Sequence, residues 1–99
     1  MKIKHLASAG SFESSDIMIT IEKNPNNAIE IDIESPVKSQ FGEQIRDVIL
    51  ATIKQTGLES ATVKAIDQGA LDYTIIARTT TAIFRSCDCD DKNTWEVLS

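Results

Sequence analysis

The chain has 99 residues and a mass of 10.9 kDa, which is enough for one domain of ordinary size and excludes a two-domain enzyme. Apolar residues make up 41% of the sequence and charged residues 25%, a mixture typical of a globular protein and unlike a disordered or membrane-embedded chain. The net charge of −5 argues against nucleic-acid binding, which needs a basic surface, and suits a basic protein partner.

No apolar stretch is long enough to span a membrane. The start of the chain, Met1 to His5, lacks the apolar core of a signal peptide, so we predict a cytoplasmic protein. Cys87 and Cys89 are separated by one residue, a spacing that disfavours a structural disulfide. A metal site would need further ligands that the sequence does not supply, so we expect two reduced thiols and no metal.

Two strands are predicted after an N-terminal arm. Residues 1–14 are small and polar, and we expect them to form a mobile, exposed arm. Isoleucines at every second position from Ile17 to Ile21 predict a half-buried strand, and residues 23–27 predict a turn. From Ile29 to Glu34 isoleucine alternates with acid, which predicts a second strand, paired with the first in an antiparallel hairpin. The wet, acidic face of this second strand carries Glu30, Asp32 and Glu34.

A long helix is predicted next. Ser35 is suited to be its N-cap and Pro36 its first residue. Apolar residues then recur at helical spacing up to a stop at Gly57, which predicts a helix of about five turns. The apolar stripe consists of Val37, Phe41, Ile45, Val48, Ile49 and Thr52.

The second half of the chain is predicted to add two strands and a short helix. Alternation within residues 58–67 predicts a third strand, and Gln68-Gly69 a tight turn. Tyr73, Ile75 and the neighbouring threonines favour a fourth strand over residues 71–78, although helical spacing also fits, and a short helix follows through residues 82–85.

The predicted element order is ββαββα. It gives an α+β fold, with an antiparallel sheet of about four strands and the helices packed on one face. Residues 1–86 form a single domain that includes the arm, and the polar, acidic tail over residues 87–99 is expected to fray.

Catalytic groups are scarce. His5, the only histidine, is expected to be a solvated surface residue, so no Ser–His–acid or Cys–His arrangement can be assembled. The four glycines are too far apart for a phosphate-binding loop. Arg78 and Arg85 could grip a phosphate or a partner carboxylate, but a surface or salt-bridge role is expected for each. We therefore predict a protein that is not an enzyme by itself.

A serine cluster, Ser11, Ser14 and Ser15, precedes the first predicted strand and is flanked by Glu13 and Asp16. One interpretation is a capping or turn cluster, in which the hydroxyls bond nearby backbone N–H groups. The other is an exposed hydroxyl presented to a modifying enzyme, which brings its own catalytic base. The residue pattern alone leaves both open.

Several stretches of the chain match one known family. They are residues 1–3, 9–19, 37–46, 69–72 and 77–78. Through them the chain resembles, from residue 1 to about residue 86, the acyl carrier (gamma) subunit of bacterial citrate lyase. In that family the serine after Gly-Thr-Leu-Glu carries the prosthetic group, and here Gly10-Ser11-Phe12-Glu13 precedes Ser14. Ser15 occupies a position at which glycine is common in the family. The tail from Cys87 onward departs from the family, so no family property is assigned to it.

The resemblance implies a non-catalytic carrier. Its cofactor would be triphosphoribosyl-dephospho-coenzyme A, joined to Ser14 by a phosphodiester and ending in a thiol that holds the acyl group. The alpha subunit, a transferase, would exchange acetyl on the arm for citryl, and the beta subunit, a lyase, would cleave citryl to oxaloacetate and acetyl. The implied partners are these two subunits in a hetero-oligomer, a prosthetic-group transferase and an acyl-activating ligase.

Two alternatives stay open at this point. The acyl carrier of malonate decarboxylase uses the same kind of arm, so partners or substrate would have to distinguish the two carriers. A small α+β regulatory or binding module is the other alternative, and it would carry no covalent adduct on Ser14.

Overall fold

The structure is a computed structural model that describes residues 2–36 and 38–88. These residues form an α+β fold, as predicted, with a four-stranded sheet in the order β1-β2-β4-β3 and two helices. The elements are β1 (Ala7–Ala9), β2 (Ile17–Glu22), β3 (Ile29–Glu34), α1 (Lys38–Thr56), β4 (Ala61–Asp67) and α2 (Asp72–Ser86).

The sheet is mixed and not purely antiparallel as predicted, and the hairpin expected between the first two predicted strands, which are β2 and β3 of the structure, is wrong. Strand β4 lies between β2 and β3, antiparallel to the first and parallel to the second. A helix that crosses the sheet between two strands brings the chain back in the same direction, so β3-α1-β4 is a parallel unit. Ala61, Val63 and Ala65 of β4 are fully buried, which suits a central strand. The acidic strand β3 is left at the edge, where charged side chains are tolerated.

The predicted fourth strand over residues 71–78 is also wrong, because this segment is the first half of α2. Its buried residues recur at helical spacing over the whole element, and this stripe outweighs the strand preference of its threonines. The short helix predicted from residue 82 is the second half of the same element. The buried residues of α2 are Ile75, Thr79, Ala82, Ile83, Phe84 and Ser86.

The N-terminal segment is more ordered than the sequence predicted. Residues 1–14 were expected to form an arm, but Ala7–Ala9 forms the edge strand β1, antiparallel to β2, and Ile3 is buried. The backbone N–H groups of Lys4 and His5 both donate to the carbonyl oxygen of Ser86 at the end of α2 (2.8 and 3.2 Å). The expectation was wrong for this part because these partners lie too far along the chain to be visible in a local pattern.

Both helices pack on one face of the sheet, as predicted. Ile17, Ile19 and Ile21 of β2 are fully buried on that face, as are Ile49 and Ile53 of α1. On the opposite face Glu30, Asp32 and Glu34 are exposed, which confirms the predicted wet, acidic face of β3.

The long helix α1 has 19 residues, about five turns, and ends before Gly57, whose positive φ of 82° confirms the predicted stop. It begins at Lys38, later than predicted, and the Ser35 hydroxyl donates to the Asp67 carboxylate (2.8 Å). Along the predicted stripe, Ile45, Ile49 and Thr52 are buried and Val48 is half-buried, but Phe41 is exposed; Val37 lies outside the described residues. Within the described ranges, neither helix has the length and apolarity needed to cross a membrane.

Candidate serine loop and adjoining groove

The serine cluster occupies the loop that connects β1 to β2 (residues 10–16). The backbone N–H of Asp16 donates to the carbonyl oxygen of Glu13 (3.2 Å), which makes residues 13–16 a turn with Ser14 and Ser15 at its corner. Both corner serines are exposed. The Ser14 hydroxyl has no hydrogen-bond partner among the residues that the structure describes. The Ser14 hydroxyl is therefore held in an exposed position at the corner of a defined turn.

Gly10 sets the start of this loop. It has a φ of 108°, and a Cβ at this position would lie 1.8 Å from the carbonyl oxygen of Ile17. Only glycine allows the two ends of the loop to approach this closely. The sequence showed Gly10 as part of the family motif, and the structure gives the motif glycine its physical reason.

Asp16 anchors the other end of the loop. Its carboxylate accepts hydrogen bonds from the Ser11 hydroxyl (2.7 Å) and the Ile17 backbone N–H (2.7 Å). Arg78 of α2 adds a two-pronged ion pair, with Nε 3.0 Å from Oδ1 and Nη2 2.9 Å from Oδ2. The Arg78 guanidinium, then Ser11 and the Ile17 N–H, hold the pKa of the Asp16 carboxyl far below its ordinary value. The charged form of Asp16 therefore fixes the loop to α2.

The two interpretations of the serine cluster apply to different residues. Ser11 has the structural role, because its hydroxyl donates to Asp16 and also accepts from the backbone N–H of Glu13 (3.2 Å). Ser14 has the exposed position that a modifying enzyme needs. Ser15 adopts a positive φ of 65°, a conformation that favours glycine at the third position of a turn.

The loop is joined by backbone hydrogen bonds to the connection between β4 and α2. The Ser15 N–H donates to the carbonyl oxygen of Gln68 (2.7 Å), and the Gln68 N–H donates to that of Asp16 (2.8 Å). Gly69 follows with a positive φ of 91°, as expected for a turn. Asp67 and Gly69, the two neighbours of Gln68, line a surface groove.

This groove runs between the first half of α1 and the start of α2 and has a volume of about 500 Å³. Its lining is mainly apolar, with an amide and two carboxylates. Gln44 donates from Nε2 to Asp72 Oδ1 across the groove (3.2 Å). The buried Asp67 carboxylate accepts from the Ala70 N–H (2.9 Å) as well as from Ser35. The lining residues are Phe41, Gln44, Ile45, Asp67, Gly69, Ala70, Leu71, Asp72 and Ile75.

The other candidate groups lie elsewhere. His5 is exposed, as predicted, and is paired through Nε2 with Asp88 Oδ1 (2.7 Å). Arg85 donates to the Ser8 carbonyl oxygen (2.9 Å). Cys87 is buried, with its Sγ 3.7 Å from the Ser86 Oγ, and Cys89 lies outside the described residues. Among residues 2–36 and 38–88, no group of three or more histidines, cysteines or acids is arranged to hold a metal ion.

Comparison with known proteins supplies the context for this loop. A sequence model of the acyl-carrier family described as "ACP: Malonate decarboxylase delta subunit (MdcD)" matches residues 4–86. The chain is 53% identical over 98 residues to the citrate lyase acyl carrier protein of Lactobacillus helveticus, covering 99% of this chain and all of that one. It is 50% identical over 91 residues to that of Fusobacterium nucleatum, covering 92% and 97% of the two chains. The chain belongs to the citrate lyase acyl carrier protein family.

Family membership favours the carrier interpretation over a regulatory or binding module. The same relationship holds for Streptococcus equi subsp. equi, whose citrate lyase acyl carrier protein is 48% identical over 99 residues, with coverage of 100% and 97%. The chain is thus an acyl carrier, a role that calls for an attachment point and not for catalytic groups of its own. Sequence reasoning found the serine loop and expected a surface or salt-bridge role for Arg78, which the Asp16–Arg78 ion pair confirms. It did not identify Asp16 and Gln68 as residues that hold the loop. For Asp16, only the family resemblance, whose matching stretches include this residue, gave a signal.

Proposed function

We propose that this chain is the acyl carrier subunit of a citrate lyase and carries a coenzyme-A-like group on the oxygen of Ser14. The observation that supports the proposal most directly is the position of Ser14, exposed and without a hydrogen-bond partner among the described residues, at the corner of an anchored turn. The chain also aligns with 97–100% of the length of the quoted relatives that are named citrate lyase acyl carrier protein.

The residues around Ser14 fit a group attached through oxygen. An incoming phosphate must reach the Ser14 hydroxyl from solvent, and an exposed turn corner leaves that approach open. Two polar side chains of the loop are already engaged, because Ser11 donates to Asp16 and Asp16 is paired with Arg78. The group would be triphosphoribosyl-dephospho-coenzyme A, and when bound it supplies a terminal thiol that holds acetyl or citryl as a thioester.

The chain's own residues have a positioning task in this proposal. Gly10, the Asp16–Arg78 ion pair and the Ser15–Gln68 hydrogen bond fix the turn from three sides. A fixed turn presents the Ser14 hydroxyl in one arrangement to the prosthetic-group transferase, and it gives the arm a defined origin. Tethering then keeps the acyl group at high effective concentration at the alpha and beta subunits.

The experiment is an intact-mass measurement on the chain purified from cells that also contain the lyase subunits and their attachment enzymes. Cleavage after Lys4 and Lys23 releases residues 5–23, so fragmentation of this peptide locates the adduct among its serines. We expect one adduct of coenzyme-A-like mass on Ser14. Ser14→Ala should abolish it, and the matched change Ser15→Ala, at the other corner position, should leave it in place.

An unmodified wild-type chain from those cells would overturn the proposal. An adduct that remains in Ser14→Ala and disappears in Ser15→Ala would move the attachment point to the neighbouring hydroxyl. The chain from a host without the attachment enzymes serves as the unmodified mass reference.

A second candidate is the acyl carrier of a malonate decarboxylase, because the matching family model is described by that enzyme's delta subunit. The relatives quoted above carry the citrate lyase name at 48–53% identity, which favours citrate. The modified chain should restore citrate cleavage when mixed with carrier-free citrate lyase alpha and beta subunits. Restoration of malonate decarboxylation by carrier-free malonate decarboxylase, without restoration of citrate cleavage, would favour the second candidate.

A further inference from the structure

We propose that the groove between α1 and α2 binds the neutral, amide-bearing pantetheine section of the arm, so that the arm folds back onto the carrier when no partner holds it. This inference rests on the proposed attachment to Ser14 and extends it by assigning a second, non-covalent site for the same group.

The groove begins close to the attachment point. Ser14 is the neighbour of Ser15, whose N–H donates to Gln68 (2.7 Å), and Gly69 of the groove lining follows Gln68. Standard backbone dimensions then place the Cα atoms of Ser14 and Gly69 at most about 12 Å apart. An arm with ribose, adenosine and pantetheine units in series is longer than that. The arm can therefore enter the groove without any change in the loop.

The lining has the character of a small-molecule site. Phe41 and Leu71 remain 48% and 60% exposed, so each offers apolar surface that an occupant would cover. The volume of about 500 Å³ falls within the range of ~300–1,000 Å³ common for ligand pockets. The Gln44 amide, which has a donor and an acceptor, lies among these apolar side chains and can bond the amides of an occupant.

Charge selects which part of the arm enters. Among the side chains that the structure describes, the ionisable groups of the lining are Asp67 and Asp72, and none is a Lys or Arg. Carboxylates repel phosphates, so the phosphate-bearing part of the arm stays outside, while the uncharged pantetheine section meets no such barrier. A citryl group, which bears carboxylates, is repelled as well. The acetyl or free thiol form should occupy the groove more than the citryl form.

The experiment compares NMR spectra of the isolated chain with and without the arm, after intact mass has established which sample is modified. We expect attachment to shift the amide signals of Gly69 and Leu71 and the methyl signals of Ile45 and Ile75. The signals of Ile29 and Ile31, at the far edge of the sheet, should not move. This comparison uses only wild-type protein, so it does not depend on a variant folding.

Matched variants test the assignment. Leu71→Glu places a charge at the groove, and Leu6→Glu places the same charge on an equally exposed leucine (60% and 59%) that is not among the groove residues. We expect the groove shifts to be lost in modified Leu71→Glu and kept in modified Leu6→Glu.

Three results would overturn the inference. A modified chain whose shifts are confined to residues 11–16 would mean that the arm extends into solvent. The second result is a set of groove shifts that appear when alpha or beta subunit is added to the unmodified chain but not when the arm is attached; it would assign the groove to a partner. The third is a set of groove shifts that grow with the concentration of the unmodified chain; it would assign the groove to a second copy. An unmodified chain would instead reject the attachment itself, so the two proposals fail in different ways.

Discussion

Asp16 and Arg78 are 62 positions apart in the chain, and their side chains meet through two hydrogen bonds of 3.0 and 2.9 Å. One residue ends the serine loop and the other lies in the middle of α2. The pair therefore ties the turn that presents Ser14 to the helical layer of the fold, and it links the candidate site to overall stability.

Arg78→Ala should lower the free energy of unfolding by about 1 kcal/mol. Two charge-assisted bonds favour a larger loss, but the Arg78 side chain is 42% exposed and water screens the pair. Arg78→Lys should recover only part of the loss, because an ammonium group cannot form the two-pronged contact. Denaturant titration measures these differences. His5→Ala, which removes the more exposed His5–Asp88 pair, is the control and should cost less; equal losses would contradict the special role of Arg78.

The same pair should make stability fall in acid. Because the pKa of Asp16 is lowered in the folded protein, its contribution is complete above the unfolded value of about 3.9 and is lost as pH falls further toward the folded pKa. The difference in unfolding free energy between wild type and Arg78→Ala should be constant from pH 7 to about 5 and narrow below about 4. Urea titrations across this range measure it. His5 lowers the pKa of Asp88 in both proteins, so the contribution of Asp88 cancels in the difference between their unfolding free energies. A constant difference down to pH 2 would refute the prediction.

Gly10→Ala should destabilise the fold by more than about 2 kcal/mol. The new Cβ would lie 1.8 Å from a backbone oxygen at a positive φ, so the loop must move. Gly57→Ala is the matched control, since its φ of 82° is also positive but no atom lies within 4 Å of the new Cβ; its cost should be about 1 kcal/mol. Thermal and denaturant unfolding of both variants measure the two losses of stability. Similar losses would show that the close approach of Gly10 to Ile17 is unimportant.

Ser15→Gly should raise the free energy of unfolding by up to about 1 kcal/mol. Ser15 has a φ of 65°, and glycine adopts this conformation without the steric cost of a side chain. The hydrogen bond from the backbone N–H of residue 15 to the Gln68 carbonyl oxygen is kept, so the extent of modification at Ser14 should not change. Chemical denaturation and intact mass test the two parts. A loss of stability would indicate that the Ser15 side chain has a structural role that its exposed position does not suggest.

Thr79→Val should stabilise the protein by about 1 kcal/mol. Thr79 is fully buried, and its hydroxyl has no hydrogen-bond partner in the part of the chain that the structure describes. Thr52→Val is the control, because the Thr52 hydroxyl donates to the Val48 carbonyl oxygen (2.8 Å) and its removal should bring no gain. Denaturant unfolding measures both. A loss of stability in Thr79→Val would mean that the hydroxyl does find a partner in solution.

The sequence by itself determined the elements whose pattern is local. The alternation of Ile17, Ile19 and Ile21, the acidic alternation of β3 and the apolar stripe of α1 up to Gly57 each follow from one short stretch of chain. The proposal of Ser14 as the attachment point also rests on its own neighbourhood, through the motif that precedes it. These features need no distant partner, so periodicity and residue type are sufficient to identify them.

Tertiary structure decided the features that depend on partners far along the chain. The central position of β4 is set by its backbone pairing with both β2 and β3, and the place of β1 at the edge is set by its pairing with β2. The segment after Leu71 became a helix because its buried stripe packs against α1 and the sheet, which outweighs its local strand preference. The pairing of Asp16 with Arg78, and the groove beside Ser14, exist only because non-local pairing brings these residues together, and a local sequence pattern carries no information about which distant residues will meet.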